Sequence, residues 1–271
     1  MQTNPTHQPS RPITSAPAAT IDPASLTGAT VLTVWAHPDD ESYLSGGLMA
    51  VVGAAGGRVV NVTATLGEHG TPDPAAFPPK RLARIRRREL SAALATLDVA
   101  DALVLDLEDG TLDAVDPTVG ARSIMDLLER FEPDVVVSFG PDGVTGHPDH
   151  VAVGAWTERA VSAWRGDPAL LQATSAGVMP DDLTEVMQDL GAFYGEPPSR
   201  PPDELDLPLE LDDATLATKL RALAAHRSQT DLVRAAMGDT DYRRLAAVEA
   251  FRAANARARD RFTSGFATSA A

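Results

Sequence analysis

The chain has 271 residues, 44% of them hydrophobic, which is enough to fill one sizeable core. Its net charge of −15 repels phosphate backbones and anionic membrane surfaces, so no nucleic-acid partner is expected. Cysteine is absent, which excludes disulfides and thiolate metal sites and leaves His, Asp and Glu as the metal ligands available.

Residues 1–27 are rich in Pro, Thr, Ser and Ala and read as a disordered tail. They lack the basic and apolar regions of a signal peptide, and no later run reaches the roughly 18 apolar residues of a membrane span, so a cytoplasmic location is expected. Residues 28–262 read as a single domain, and 263–271 as a frayed C-terminus. Within the domain, strand-like and helical segments alternate. Thr30–Ala36 reads as a strand, Leu44–Ala55 as a helix, and β-branched Arg58–Leu66 as a second strand. Gly67–Pro79 has the glycines and prolines of a long loop. Lys80–Leu97 places Leu82, Ile85, Leu90, Ala93, Leu94 and Leu97 on one helical face. A third strand is expected at Asp101–Leu107, a helix at Val119–Phe131, a fourth strand at Asp134–Phe139 and a helix at Val151–Trp164. Leu170–Met179 is a candidate strand, and residues 181–206, acidic and proline-rich, read as a surface excursion. Leu205–Leu211 reads as a late strand, Ala214–Met237 as helical and Tyr242–Arg257 as a terminal helix. This alternation predicts an α/β fold, Rossmann-like, with a mostly parallel sheet and helices on both faces. Ligand sites in such sheets lie beyond the carboxyl ends of the strands.

Two clusters fall at that edge. Ala36-His37-Pro38-Asp39-Asp40-Glu41 follows the first strand, and Gly146-His147-Pro148-Asp149-His150 follows the fourth. Crowded carboxylates raise one another's pKa, and a cation offsets that repulsion. Two imidazoles and one carboxylate make a sound three-ligand set for Zn²⁺ with a position left open for water, and Fe²⁺ tolerates the same donors. The two motifs supply more donors than that, which leaves a carboxylate for general-base work and a spare imidazole. A lone His-Pro-Asp is more often a helix cap, but two at neighbouring strand ends argue for one site. Glu41 reads as support for its own helix and Arg86-Arg87-Arg88 as a largely solvated helix face, while His226 and Gln229 could stand behind the site or tie the C-terminal helix to the sheet, the structural role being favoured.

These motifs resemble the PIG-L/LmbE family of zinc-dependent N-deacetylases over roughly residues 29–255. Supporting stretches are Thr65-Leu66-Gly67-Glu68-His69-Gly70, Arg86-Arg87-Arg88-Glu89-Leu90, Asp109-Gly110, and Lys219 through His226-Arg227-Ser228-Gln229. The resemblance implies His37, Asp40 and His150 as metal ligands, Asp39 as general base, and His147 as the imidazole that supports the oxyanion or protonates the leaving amine. It implies Asp149 as the carboxylate that orients His147, and Arg86 and Asp109 as groups that hold sugar hydroxyls. Glu68, at the same sheet edge, is a further candidate for lining the substrate pocket. The implied reaction is attack of zinc-activated hydroxide on the N-acyl carbonyl of an amino sugar or its conjugate. The alternatives are an amidase acting on a thiol conjugate or another small amide, and a metal-binding regulator without turnover. The expected partner is a small molecule, with homo-oligomers left open. Some family members carry a Tyr two residues before the first His of the second motif, where this chain has Thr145.

Overall fold

A computed structural model describes residues 21–174, 181–196 and 207–262. Seven strands form one sheet in the order β3-β2-β1-β4-β5-β7-β6. The first three are β1 (Thr30–Trp35), β2 (Arg58–Thr63) and β3 (Asp101–Val104). They are followed by β4 (Val135–Phe139), β5 (Ala169–Ala173), β6 (Leu207–Glu210) and β7 (Val248–Ala253). The pairings among β1 to β5 are all parallel, and β7 runs antiparallel between β5 and β6. Helices α1 (Asp40–Ala54), α2 (Pro79–Thr96), α3 (Pro117–Phe131) and α4 (Pro148–Ala163) make the crossovers of the parallel part. Helices α5 (Asp181–Asp189), α6 (Asp213–Leu223), α7 (Arg227–Ala246) and α8 (Ala256–Phe262) belong to the C-terminal part. No described helix is long and apolar enough to cross a membrane.

The strands are apolar on both faces because both are covered. Val31, Leu32, Val34 and Trp35 of β1 and Val135, Val136, Val137 and Phe139 of β4 are wholly buried. Trp35 meets Phe139 edge to face at 4.9 Å. On the α3–α4 side, Gly120 lets the helices close over Trp156, where a Cβ would stand 2.2 Å from the indole ring.

Sheet order decides where the site falls. From β1 the chain winds outward through β2 to β3, then crosses back to β4 on the other side of β1. The two motifs therefore leave neighbouring strands, β1 and β4, at the point where the winding reverses and a crevice opens. Both lead straight into a helix, and their acidic residues sit in the first turns of α1 and α4, where the helix dipole favours negative charge.

Three expectations need correction. Residues 21–26 are not a free tail: Ile21 and Leu26 are buried in the core, joined by a short 3-10 turn at Pro23–Leu26. The stretch expected as a terminal helix at Tyr242–Arg257 is helical only at its ends, in the last turn of α7 and the start of α8, with β7 between them. Val248–Ala253 lies as a strand between β5 and β6, and both edges of its backbone pair with them. The long helix expected at Ala214–Met237 is two helices, turning at His226. The remainder of the 1–27 tail, the 175–180 end of the expected fifth strand, residues 197–206 and the C-terminus from 263 lie outside the described residues.

Candidate metal centre and active site

Three donor groups converge between β1 and β4. His37 Nδ1 lies 3.1 Å from His150 Nε2, and the Asp40 carboxylate reaches both, at 3.7 Å and 3.4 Å. Donors bound to one tetrahedral metal at about 2.0–2.1 Å stand roughly 3.3 Å apart, so this set fits a metal ion. The tautomers agree. His37 Nε2 faces Asp109 at 3.1 Å and Asp149 at 3.2 Å, so in the neutral ring the proton belongs on Nε2 and Nδ1 would be left for a metal. His150 Nδ1 lies 2.9 Å from the Gly143 carbonyl, which frees Nε2. Carboxylate and carbonyl partners of this kind orient metal-binding imidazoles. His147 adds a third imidazole, with a ring nitrogen within 4.8 Å of those of His37 and His150.

Asp39 stands beside this set. Its backbone is left-handed, at φ 107° and ψ −30°, and its carboxylate lies 3.3 Å from the Arg86 guanidinium. Burial pushes its carboxyl up to about 6, against the pull of Arg86 and with the repulsion of Asp40. Burial also raises Asp40, although the neighbouring His37 favours its charged form. Burial by itself would discharge His37, but hydrogen bonds to Asp109 and Asp149 and the charge of Asp40 outweigh it and push the imidazole up to about 10. Burial, then repulsion from the His37 cation, brings His150 down to about 3. His147 falls to about 4 through burial and repulsion from His37 and His150.

His147 caps α4. Its Nδ1 accepts the Asp149 backbone N–H at 3.1 Å, so in the neutral ring the proton belongs on Nε2. Its ring packs at 4.9 Å against His150 and at 4.4 Å against the exposed Tyr194. Thr145 lines the adjoining cavity, its hydroxyl 3.3 Å from His150 Nδ1.

Other residues stand in places different from those the resemblance implies. The Asp149 carboxylate does not reach the His147 ring. It accepts the backbone N–H groups of Gly110 and Leu112 and faces His37 Nε2. Arg86 is buried behind Asp39, with its donors on the Pro38 and Gly67 carbonyls, so it is not presented to a sugar. Gly67, at φ 59°, makes that possible, because a Cβ there would fall 1.9 Å from Arg86 Nη1. Arg87 and Arg88, one and two residues on, are exposed as expected. Asp109 is buried too: it accepts the His69 N–H and contacts His37, whose proximity draws its carboxyl down to about 2 against burial. Glu68 is half-buried and accepts the Asp109 N–H from across the loop.

Four further residues stand at this site, of which Glu41 and His226 have mainly structural readings from the sequence and Tyr43 and Glu249 have none. Glu41 and His226 form a buried pair 2.6 Å apart behind Asp39. Tyr43 lines the cavity and touches the Tyr242 hydroxyl at 3.3 Å. Glu249, from β7, lines the same cavity and pairs with buried Lys219 at 2.8 Å. Its signal was hidden because the strand that carries it reads as helix. The cavity, about 280 Å³, runs from Asp39, Asp40 and His150 to a wall of Leu44, Val144, Met187, Phe193 and Leu245.

Known proteins resemble this chain both in sequence and in fold. Residues 32–161 match the model of the PIG-L family, GlcNAc-PI de-N-acetylase. The 1D-myo-inositol 2-acetamido-2-deoxy-alpha-D-glucopyranoside deacetylase of Corynebacterium glutamicum (strain R) is 30% identical over 226 residues, covering 75% of this chain and 76% of that protein. The N,N'-diacetylchitobiose deacetylase from Pyrococcus horikoshii shares the fold with a TM-score of 0.58 at 23% identity, over 83% of each chain. The zinc-inhibited form of teicoplanin deacetylase Orf2 also has a TM-score of 0.58, at 19% identity, over 80% of this chain and 90% of that one. The family match spans both motifs, and the relative covers most of both chains: this chain belongs to the PIG-L family.

Proposed function

We propose that the protein is a metal-dependent hydrolase that removes an N-acyl group, in the first place acetyl, from an amino sugar or its conjugate. The observation that carries this reading is the convergence of His37 Nδ1, His150 Nε2 and the Asp40 carboxylate, with a second carboxylate, Asp39, left outside the set. A divalent ion held by these donors, Zn²⁺ in this reading, would acidify a water and polarise the acyl carbonyl. Asp39 takes the proton of the attacking water, and a carboxyl raised to about 6 is well matched to that task near neutral pH. His147 offers a hydrogen bond from its Nε2–H to the carbonyl oxygen as negative charge develops there, and Asp39 passes the proton it took from the water to the departing nitrogen. The water oxygen bonds to the acyl carbon, the C–N bond breaks, and a free amine and a carboxylate leave. Asp109 and Asp149 keep the His37 proton on Nε2, and Arg86 holds Asp39 in place.

The test is released-amine detection with protein of defined metal content. The substrates are an N-acetylglucosaminyl inositol, N,N'-diacetylchitobiose and N-acetylglucosamine, as the relatives' names suggest. Turnover that chelation abolishes and Zn²⁺ restores supports the reading. No release from any of them removes it. The apolar wall of the cavity favours a second reading, an amidase for a bulkier acyl group or thiol conjugate. A rate that rises from N-acetyl to N-butyryl and N-hexanoyl substrates would select it.

A further inference from the structure

Asp39 holds a backbone conformation that non-glycine residues adopt rarely, and such a conformation persists only where its surroundings impose it. Arg86 grips the carboxylate and the preceding Pro38 carbonyl. The Asp39 N–H is held separately, donating to Glu41 Oε2 at 2.9 Å. Glu41 is wholly buried, and its other oxygen accepts from Ser42 Oγ and faces His226 Nε2, both at 2.6 Å. His226 is also wholly buried and comes from 185 residues further along the chain. It sits in the turn between α6 and α7, its own N–H on the Leu223 carbonyl and its carbonyl accepting from Gln229 and Thr230. Neither Glu41 nor His226 lines the cavity. A carboxylate that served only the first turn of α1 would need no buried imidazole from a distant helix. Glu41 here joins the strained peptide to the C-terminal part of the fold.

We propose that Glu41 and His226 are positioning residues for Asp39, holding its backbone in the left-handed conformation that aims the carboxylate at the reacting water. This rests on the reading of Asp39 as general base. His226 orients Glu41, Glu41 fixes the Asp39 peptide, and neither touches substrate.

The experiment is His226→Ala in the full-length, Zn²⁺-loaded protein, read by crystal structure, zinc content and kinetics on the N-acetyl sugar that the wild type turns over. The expected structure shows the Asp39 peptide out of the left-handed region with zinc still bound. The expected kcat falls by about 10²-fold, the cost of a misplaced catalytic group. KM stays within about twofold, since uniform binding is untouched. His226→Gln, which keeps a donor toward Glu41, restores most of the rate. In an Asp39→Ala background, His226→Ala costs nothing further, as expected of residues that act as a unit. A purely structural role would instead lower stability and leave kcat of the folded enzyme intact. If His226→Ala does not fold, Glu41→Gln is judged on the same readouts. An unmoved Asp39, an unchanged kcat, or an undiminished loss in the Asp39→Ala background overturns the proposal. Wild-type protein that turns over no N-acyl sugar refutes the hydrolase reading instead, and the Asp39 conformation in the variant still decides the positioning claim.

Discussion

Asp39 and Asp40 are adjacent carboxylates with different surroundings, and the proposed chemistry depends on the difference. Asp40 faces two imidazole nitrogens, whereas Asp39 faces Arg86. Asp39→Ala should therefore retain metal and lose turnover by about 10²–10⁴-fold, the usual span for a general base. His37→Ala and His150→Ala should lose metal, and elemental analysis of the purified variants separates the two classes. The pH dependence follows from the same contacts. A base must be unprotonated, so kcat/KM should rise as pH climbs through about 6, the value to which burial pushes Asp39. Arg86 favours the charged carboxylate, so Arg86→Met should move that acid limb to higher pH. A limb that stays in place would show that Arg86 does not act on Asp39.

At the scale of elements, the C-terminal part closes the back of the cavity through one buried ion pair. Lys219 of α6 meets Glu249 of β7 at 2.8 Å, and Glu249 also accepts the N–H groups of Gly47 and Leu48 in α1. Lys219→Met would leave a buried carboxylate without its cation and should destabilise the protein by about 3–5 kcal/mol. Lys219→Met combined with Glu249→Gln should cost less, and urea midpoints at constant m-value measure both. This part of the fold was also the least legible in the sequence. The strands β1, β2 and β4 declare themselves by runs rich in β-branched and apolar residues, and the motifs that follow β1 and β4 lie together at the sheet edge, as expected. Val248-Glu249-Ala250-Phe251-Arg252-Ala253 carries alanine and charge, which favour helix locally, and becomes a strand only because β5 and β6 flank it. Single residues were obscured in the same way. Nothing in Arg86-Arg87-Arg88 distinguishes the buried member as a clamp on Pro38 and Asp39, and nothing near Asp149 shows that its carboxylate turns to His37 rather than His147. Those assignments depend on the crossing of distant loops.

For the whole molecule, the proposed donor set would couple metal binding to protons and so to stability. Without metal, the acidic groups around His37 push its imidazole up to about 10, so at neutral pH it is charged and a proton occupies Nδ1, the nitrogen that would bind the metal. In the unfolded chain an imidazole titrates near about 6.5. The folded value is raised, so this contribution to the metal-free fold is complete below about 6.5 and is lost as pH rises through about 10. In the proposed reading, metal held at Nδ1 would displace that proton and would not suffer the loss. Metal binding should then release close to one proton from His37 at pH 7 and strengthen with pH, as measured by calorimetry in buffers of different ionisation enthalpy. The gain in Tm on adding saturating Zn²⁺ should likewise grow from pH 6.5 to pH 9, because ligand that binds only the folded state adds stability in proportion to its affinity. Most of the sheet core does not depend on the donor set, since β1 and β4 bury Trp35, Phe139 and the valines, and Phe139 also stacks on His150 at 4.2 Å. Chelated protein should thus remain folded with a lower Tm. A Tm difference that is constant across that range would mean that His37 carries no displaceable proton, and the donor set would have to be reassigned.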